Sequence, residues 1–451
     1  MQQNKMQTMT KFSAGLVLFA MAVVLTMYAS CAEPLDWKNI KYPCDAKRTC
    51  LSGYSCVGGL CVSGGGGGDA GPTPETPFNP DGPYRPPLKE PKIAFLYVGP
   101  VGDFGWTWAH EQGRLHLKKL GYKTTFAGPV SVKDTPDQIE KFIKSGYNVI
   151  SGTSYDFLVP TLTMADKYPN VNFLTCSGFR TAKNLGAYFG RIYQLEWIAG
   201  MIAGAVTKSN RIGIVATVPI AEVVRHINAF TLGVRKRNPK AVVIVKWVGN
   251  WFDPKVEPVL TKELLDENTD VIHPLTDTSI PMELIENKGK EPLTTKDGDK
   301  VYTIGHNASN ACDFGPRTCL VTPYWNWGAM VGRIVEQMKS GTWDPKKVIW
   351  ESVRADSTDS GFALTKISSV VPGPARIEIE SLIPKLAKEK KNGEQLAFEP
   401  PLVDNKGKQR FAKGKYPTDE DMLNMCWYVE GVVEKDGKTP AKVPAGCKGD
   451  R

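Results

Sequence analysis

The sequence lacks the signatures of the common hydrolase and nucleotide-binding classes. Its 451 residues contain no Gly-x-Ser-x-Gly nucleophile elbow, no His-Glu-x-x-His zinc helix and no Gly-x-x-x-x-Gly-Lys phosphate loop. Histidine is scarce: five residues are scattered along the chain, and isolated histidines of this kind are more often structural than catalytic. We therefore expect a protein that is not an enzyme and that uses no cofactor and no metal.

Dense basic runs with interleaved aromatic residues are also missing. Lysine and arginine exceed the acids by 56 to 47, which gives a formal net charge of +9, but the excess is spread along the chain. A nucleic-acid-binding protein normally concentrates such charge on one patch. The charge therefore indicates a solvated basic surface, and we expect no nucleic-acid partner.

Only one long apolar run occurs, and it lies at the N-terminus. Lys5 and Lys11 are followed by an apolar stretch from Phe12 to Met27, with small residues just before Cys31. This pattern predicts a secretory signal peptide over residues 1–30. An uncleaved membrane helix is the alternative, although a span needs about 20 apolar residues. The rest of the chain is expected to be soluble and outside the cytoplasm.

The small residues followed by Cys31 resemble a bacterial lipoprotein cleavage site. That resemblance implies that Cys31 is acylated and becomes the first mature residue, while plain signal-peptide cleavage is the alternative. Acyl chains anchor a protein because each buried methylene contributes about 0.8 kcal/mol. We therefore expect a protein that is lipid-anchored in the bacterial cell envelope on the periplasmic side; which membrane holds it stays open.

Residues 31–61 hold five of the ten cysteines, and four of these follow the candidate lipidation site Cys31. Cys44, Cys50, Cys56 and Cys61 indicate a loop-rich module with two disulfides, because an oxidising compartment favours such dense frameworks. The pairing within the module stays open. Zinc is the second interpretation, but the segment has no Cys-x-x-Cys spacing and no nearby histidine.

The other cysteines suggest two further disulfides. Cys312 and Cys319 are close enough in sequence to close one loop, and Cys426 and Cys447 are placed to staple the C-terminal tail. Cys176 is then left over in an apolar run, where we expect a buried free thiol.

A linker over residues 62–91 follows the cysteine module. It holds five consecutive glycines, Gly64 to Gly68, and then several prolines. Glycine makes such a segment flexible and proline makes it stiffer. The linker is a suitable tether between a membrane anchor and a folded domain.

Beyond the linker, apolar strands alternate with amphipathic helices, which predicts βαβ units and an α/β fold. Two successive parallel sheets of about four strands suggest two Rossmann-like lobes, with the ligand in the cleft at the strand ends. One helix is predicted to carry Ala109, Gly113, Leu117 and Leu120 on its apolar face, and another to begin with a capping box at Thr135. The predicted strands are Lys92–Val98, Tyr122–Phe126, Asn148–Ser151, Val171–Thr175, Arg211–Val218, Ala241–Val248, Asp270–His273 and Val301–Ile304.

The chain is expected to cross between the lobes near Ser209, Val321–Pro323 and Trp350–Ser352. The resulting division assigns residues 92–209 and 323–350 to the first lobe, 210–322 and 351–433 to the second, and 434–451 to a C-terminal tail.

The segments that close the predicted strands carry a recognisable order of residues. They are Val98–Thr107, Trp247–Pro254, Asp277–Ser279, Gly305–Ser309 and, at the end of the domain, Met422–Val432. Their order and spacing resemble the basic membrane protein family of substrate-binding lipoproteins, over roughly residues 92–433. The resemblance implies a type I periplasmic binding protein fold with a three-strand hinge. It also implies an ABC transporter permease as partner and a purine nucleoside or free nucleobase as ligand.

A purine has two apolar faces and a polar edge. Its site therefore needs aromatic rings for stacking, each worth about 1–3 kcal/mol, and a few donors and acceptors at the edge. The resemblance and this chemistry select nine candidates: Asp103, Phe104, Trp106, Tyr155, Asp156, Trp251, Phe252, Asp277 and Asn307.

Several candidates have structural alternatives. Asp103 and Asp277 are each placed to cap a helix rather than contact a ligand, and one of Trp251 and Phe252 is expected in the core. The family's nucleoside pockets use a lysine that has no clear counterpart around His306–Ser309, which favours a free nucleobase.

Two other functions stay open. A surface sensor or adhesion lipoprotein would use the cysteine module for partner contact and keep a vestigial cleft. The same fold with riboflavin or a sugar as ligand is the other. In each case we expect a monomer.

Overall fold

The computed structural model describes residues 85–389 and 395–447, together with the backbone of three short strands near the N-terminus. Those strands are Tyr42–Pro43 (β1), Tyr54–Val57 (β2) and Leu60–Ser63 (β3), and they form an antiparallel sheet with β3 in the middle. The predicted signal peptide, the lipidation at Cys31 and the side chains of Cys44, Cys50, Cys56 and Cys61 lie outside the described residues.

The main part of the chain alternates strands and helices as its hydrophobic pattern predicts. The strands are Lys92–Leu96 (β4), Lys123–Ala127 (β5), Val149–Gly152 (β6), Asn172–Cys176 (β7), Leu185–Gly190 (β8), Arg211–Ala216 (β9), Val242–Trp247 (β10), Val271–Leu275 (β11), Tyr302–Ile304 (β12), Cys319–Val321 (β13), Pro323–Trp325 (β14), Ile349–Glu351 (β15), Phe362–Leu364 (β16), Leu402–Val403 (β17), Gln409–Phe411 (β18) and Val432–Val433 (β19). The helices are Trp106–Lys119 (α1), Thr135–Lys144 (α2), Leu158–Lys167 (α3), Tyr193–Val206 (α4), Ala221–Arg237 (α5), Val256–Asp266 (α6), Ile280–Glu286 (α7), Trp327–Ser340 (α8), Gly373–Glu380 (α9), Ile383–Leu386 (α10) and Asp419–Leu423 (α11).

Two six-stranded parallel sheets form the two lobes. The first has the order β15-β8-β7-β6-β4-β5 and the second the order β13-β12-β11-β9-β10-β19. Five consecutive strands in each sheet follow the same doubly wound order, which places ligands at the carboxyl ends of the strands. The predicted α/β fold with two Rossmann-like lobes is confirmed.

The chain passes between the sheets three times. It leaves the first sheet after β8, returns to it with β15, and joins the second sheet again with β19. At these passages β14 and β16 pair with each other as a short antiparallel ribbon. This arrangement is the three-strand connection expected of a hinged two-lobe protein.

The sheets are larger than the predicted four strands because two strands of each, β8 and β15 in the first and β13 and β19 in the second, were not recognised in the sequence. Strand β8 contains two glycines, which weaken a strand pattern. Both glycines face aromatic rings: a Cβ on Gly186 would lie 2.9 Å from Trp343, and one on Gly190 would lie 2.6 Å from Phe362. The two glycines therefore lower the intrinsic strand propensity of β8 but leave room for two large side chains.

Two local predictions were wrong. The N-cap of α2 is Asp134, so Thr135 is already helical and its hydroxyl donates to the carbonyl of Ser131. A true capping box begins α11, where Thr418 and Asp421 bond reciprocally. Leu120, expected on the apolar face of α1, is 60% exposed because the helix has ended at Lys119.

Disulfides join Cys312 to Cys319 and Cys426 to Cys447, with Cα–Cα distances of 5.3 and 5.7 Å. Cys176 is free and buried at the end of β7. Within the ranges described above, no helix combines the length and the apolar character that crossing a membrane requires.

Candidate functional site

A small cavity, partly open to solvent, lies at the strand ends between the two sheets. Its walls come from segments after β4, β6 and β7 on one side and after β9, β10, β11 and β12 on the other. The lobes also touch across it, since the ring centroids of Phe104 and Phe314 are 4.9 Å apart. The ligand position predicted from the topology is therefore a real enclosure in this conformation.

Four aromatic side chains line the cavity: Trp106, Tyr155, Trp251 and Trp325. The three indole N–H groups already have protein partners. Trp106 donates to the carbonyl of Thr153 (2.7 Å), while Trp251 donates to Asp156 Oδ2 (3.2 Å) and Trp325 to Asn307 Oδ1 (3.1 Å). These bonds fix the ring orientations. Trp325 already stacks on Trp327, with ring centroids 4.2 Å apart, so at most one face of its ring is open to a ligand.

Two carboxylates give the cavity an acidic polar side. The amide of Asn307 donates to Asp277 Oδ1 (3.1 Å), and the hydroxyl of Ser177 donates to Glu222 across the cleft. Burial raises the pKa of Asp277 well above its usual range, and the nearby carboxylates of Asp103, Glu257 and Glu222 add to the effect. The carboxyl group of Asp277 can therefore donate a hydrogen bond as well as accept one.

Among the described residues that line the cavity there is no lysine or arginine. A phosphate or carboxylate ligand would meet carboxylates without a compensating cation, which costs free energy in a desolvated site. The cavity therefore favours a neutral or cationic ligand that donates hydrogen bonds.

Three histidines converge at the second-lobe side of the cavity. His226 and His306 line it, and His306 and His273 both contact the buried carboxylate of Glu196. Burial alone would raise the pKa of Glu196, but the two imidazoles outweigh burial and hold it below its ordinary value. Desolvation lowers the pKa of His226 and His306, so both rings are neutral at pH 7.

Five of the nine predicted residues line the cavity: Trp106, Tyr155, Trp251, Asp277 and Asn307. Two belong to the first lobe and three to the second, so the strand-end argument brought together residues that are far apart in sequence.

The other four predicted residues lie beside the cavity. Asp103 caps α1, since its carboxylate accepts from the backbone amides of Gly105, Thr107 and Trp108 at 2.8–2.9 Å. Burial raises its pKa, against the pull of these bonds.

Asp156 accepts the indole N–H of Trp251, and burial raises its pKa as well. Phe104 packs against Phe314, and Phe252 is 41% exposed on the outer side of its loop. Of the adjacent pair Trp251 and Phe252, therefore, Trp251 is the one that faces the cavity.

The sequence analysis missed Ser177, Thr217, Glu222 and His226. Ser177 and Thr217 directly follow strands β7 and β9, so the strand-end rule would have selected them. Glu222 and His226 lie four residues apart on α5, which turns one face toward the cavity. No motif marks that face in a single sequence.

Comparison with known proteins decides the family. The family model described as ABC transporter substrate-binding protein PnrA-like matches residues 90–357. A purine-binding protein of Brucella abortus is 31% identical over 348 residues, which cover 76% of this chain and 93% of that protein.

The chain belongs to this PnrA-like family of ABC transporter substrate-binding proteins. The resemblance to the basic membrane protein family is thereby confirmed. The family implies a small-molecule ligand, a transporter permease as partner and a location outside the cytoplasm.

Two other relatives extend the family picture. A Haloferax volcanii protein described as a candidate ABC transporter glucose-binding protein is 35% identical over 253 residues, covering 56% of this chain and 62% of that protein. A solute-binding protein structure from Conexibacter woesei matches with a TM-score of 0.53 at 21% identity, covering 66% of this chain and 96% of that one. The structural likeness supports the fold alone.

Proposed function

We propose that the protein captures a purine nucleobase or nucleoside between its lobes and delivers it to an ABC transporter permease. It does no chemistry on the ligand. The observation that carries the proposal is the cavity itself, in which aromatic rings with fixed orientation face a polar side rich in hydrogen-bond acceptors and free of cations.

Each part of a purine finds a counterpart in this cavity. The faces of the base can stack on Trp106, Trp251 or Trp325, and the ring N–H and amino groups can donate to Glu222 or Asp277. The Brucella relative, which is named as a purine-binding protein, supports the same ligand class.

A nucleobase fits better than a nucleoside. Within the described part of the chain, no lysine lines the cavity around His306 and Asn307, where a nucleoside pocket of the family would use one. The polar groups at that end are instead tied to each other, as in the bond from Asn307 to Asp277.

Closure of the lobes is the step that the transporter would recognise. Ser177 reaches Glu222 and Trp251 reaches Asp156, and both bonds join the two lobes beside the cavity. A ligand that contacts both lobes binds the closed form better than the open form and so shifts the population toward it.

The attachment to the membrane is also a proposal. Residues 1–30 would direct export and Cys31 would carry the acyl chains, followed by the cysteine module and the linker. We propose a monomer, because one chain supplies both walls of the cavity.

A thermal-shift screen of the full-length chain tests the ligand class. Adenine, guanine, hypoxanthine and their nucleosides would be compared with glucose, riboflavin and buffer alone. A ligand at 100 times its dissociation constant adds about 2.7 kcal/mol of stability, so a true ligand is readily seen. A response to a purine base that exceeds the response to its nucleoside is the expected result.

A sugar is the second candidate ligand. The Haloferax relative described as a candidate glucose-binding protein favours it, and sugars also combine aromatic stacking with acidic hydrogen-bond acceptors. A response to glucose with none to any purine would overturn the purine proposal and leave the transport role intact.

A further inference from the structure

A buried group of three side chains lies behind the cavity, where α4 meets the second sheet. Glu196 is in the first turn of α4, His273 is in the middle of β11, and His306 follows β12 by two residues. Glu196 and His273 have no exposed surface, and the side chain of His306 is 10% exposed at the cavity wall. We call these three residues the Glu-His-His cluster.

The donor atoms of the Glu-His-His cluster converge on one point. Nε2 of His273 lies 2.7 Å from Oε2 of Glu196, and Nδ1 of His306 lies 3.1 Å from Oε1. One ligand atom from each residue lies within 4.8 Å of the other two. The three residues sit on a helix, a strand and the end of a strand, so the backbone holds their spacing.

Some buried polar atoms of the Glu-His-His cluster have no hydrogen-bond partner. Oε1 of Glu196 and Nδ1 of His306 are both buried, yet neither forms a hydrogen bond of acceptable direction, although they are neighbours. Nε2 of His226, close by in the cavity wall, has no hydrogen-bond partner either. A buried carboxylate with one hydrogen bond is costly, and a cation between these atoms would remove most of that cost.

We propose that Glu196, His273 and His306 bind a divalent transition-metal ion, with Zn²⁺ as the reference ion, at the base of the cleft. Two imidazoles and a carboxylate form a typical three-residue set for catalytic-type zinc sites. Bonds of about 2.0–2.1 Å place tetrahedral ligand atoms about 3.3 Å apart. The two carboxylate–imidazole spacings, 2.7 and 3.1 Å, are a few tenths of an ångström shorter than this, and one ligand atom from each of the three residues lies within 4.8 Å of the others.

The fourth coordination position faces the cavity. His306 lines the cavity, and the ring centroid of His226 lies 6.3 Å from that of His306. Either Nε2 of His226 or a donor atom of a cavity ligand takes this position. The proposal departs from the expectation drawn from the sequence, where the scattered histidines gave no reason to predict a metal.

Metal titration of the full-length chain, prepared without a histidine tag, tests the proposal. Zn²⁺ and Co²⁺ would be added to the chelator-treated protein and followed by calorimetry, with visible absorption of bound Co²⁺ as the second readout. We expect one equivalent of either ion and a Co²⁺ spectrum of four-coordinate geometry. No saturable binding to the wild-type chain would overturn the proposal and leave a metal-free hydrogen-bonded cluster.

Two substitutions locate the ion. Outer-shell partners alone change metal affinity by about 10–100-fold, so removal of a direct ligand in Glu196→Gln or His306→Asn should weaken binding at least about 100-fold. His116→Asn removes an exposed histidine on α1 and should leave the affinity unchanged. Equal binding by all three variants would place the ion elsewhere.

A second measurement covers loss of folding in the Glu196 variant. His306 lies at the cavity wall, so its substitution should disturb the fold less than substitution of Glu196. Anomalous scattering at the zinc edge from crystals of the wild-type protein locates the ion without any substitution. A peak bonded to Glu196, His273 and His306 is expected, and a peak at any other place contradicts the proposal. Purine affinity should also be measured with and without the ion. This measurement tests the proposed ligand independently of whether the metal site exists.

Discussion

At the scale of single residues, the cavity separates two neighbouring aromatics. Trp251 lines it and bonds to Asp156, whereas Phe252 is 41% exposed and does not line it. Stacking on a base contributes about 1–3 kcal/mol, so Trp251→Ala should weaken purine binding roughly 5- to 150-fold. Phe252→Ala is the matched control and should bind normally in the same calorimetric titration. Equal losses in both variants would contradict the assignment of Trp251 as a stacking residue.

The charge state of Asp277 predicts a pH dependence of stability. Burial raises its pKa, so the folded state keeps a proton that the unfolded state releases at its ordinary pKa of 3.8. Stability therefore falls as pH rises from that value toward the folded-state pKa. Asp277→Asn imitates the protonated acid and still accepts from Asn307. Its melting temperature should match that of the wild type below about pH 4 and exceed it near pH 7. The difference should be roughly 2 °C for each kcal/mol that the variant adds to the free energy of unfolding.

Asp436 provides a control of opposite sign. Hydrogen bonds from Thr439 and from the backbone amides of Lys438 and Thr439 lower its pKa to about 2. Its stabilising effect is present above the ordinary pKa of 3.8 and is lost as pH falls through the folded-state value. Asp436→Asn should therefore lower the melting temperature slightly at neutral pH. If Asp277→Asn lowered the melting temperature at pH 7 as Asp436→Asn does, the assignment for Asp277 would be wrong.

The sequence revealed the residues that follow strands and missed those on helix faces. Trp251, Asp277 and Asn307 stand directly after strands, where parallel topology gathers side chains from distant segments. Glu222 and His226 reach the cavity only because α5 is rotated by its packing on α4. That rotation depends on long-range contacts, and a single sequence does not encode it in any local pattern.

At the scale of elements, α4 and α5 pack closely enough for backbone contact. A Cβ on Gly200 would lie 2.0 Å from the carbonyl oxygen of Phe230, and one on Gly233 would lie 2.0 Å from that of Trp197. Helix α4 also carries Glu196, and α5 carries Glu222 and His226, so this packing positions both the Glu-His-His cluster and the acidic side of the cavity.

Substitution of these glycines should destabilise the fold. Overpacking of a core typically costs about 1–3 kcal/mol, and a backbone atom cannot move aside as a side chain can. Gly200→Ala should therefore lower the free energy of unfolding by at least about 2 kcal/mol in urea titrations. Gly332→Ala on α8 is the control: its nearest neighbour would be Leu117 at 3.6 Å, so the helix should be unchanged or slightly stabilised. A neutral Gly200→Ala would show that the helices are not in backbone contact.

The order of elements could be predicted because alternating apolar strands and amphipathic helices have different periods. Strand β8 could not, since its glycines were selected for the approach of Trp343 and Phe362 rather than for strand propensity. The N-cap of α2 was also missed by one residue, since the backbone turn at Ser131–Asp134 decides where the helix begins. A tertiary contact overrode the local pattern in β8, whereas a local turn that the residue pattern did not reveal set the start of α2.

At the scale of the whole molecule, ligand capture depends on how closely the lobes approach. Gly105, at the start of α1, meets the second lobe at Asp277, where an added Cβ would lie 2.3 Å from the backbone oxygen. Gly102 is in the same loop, and a Cβ there would have no neighbour within 4 Å. The two glycines therefore differ in whether they restrict closure.

Gly105→Ala should hinder closure without unfolding either lobe, because the clash exists only when the lobes meet. We expect its purine affinity to fall at least about tenfold while the ligand-free stability stays within about 0.5 kcal/mol of wild type. Gly102→Ala should keep both properties, as measured by calorimetry and urea unfolding. Small-angle scattering adds a direct readout: the wild type should become more compact with ligand, and Gly105→Ala should not. If Gly105→Ala bound and compacted normally, lobe approach at Asp277 would not be part of capture.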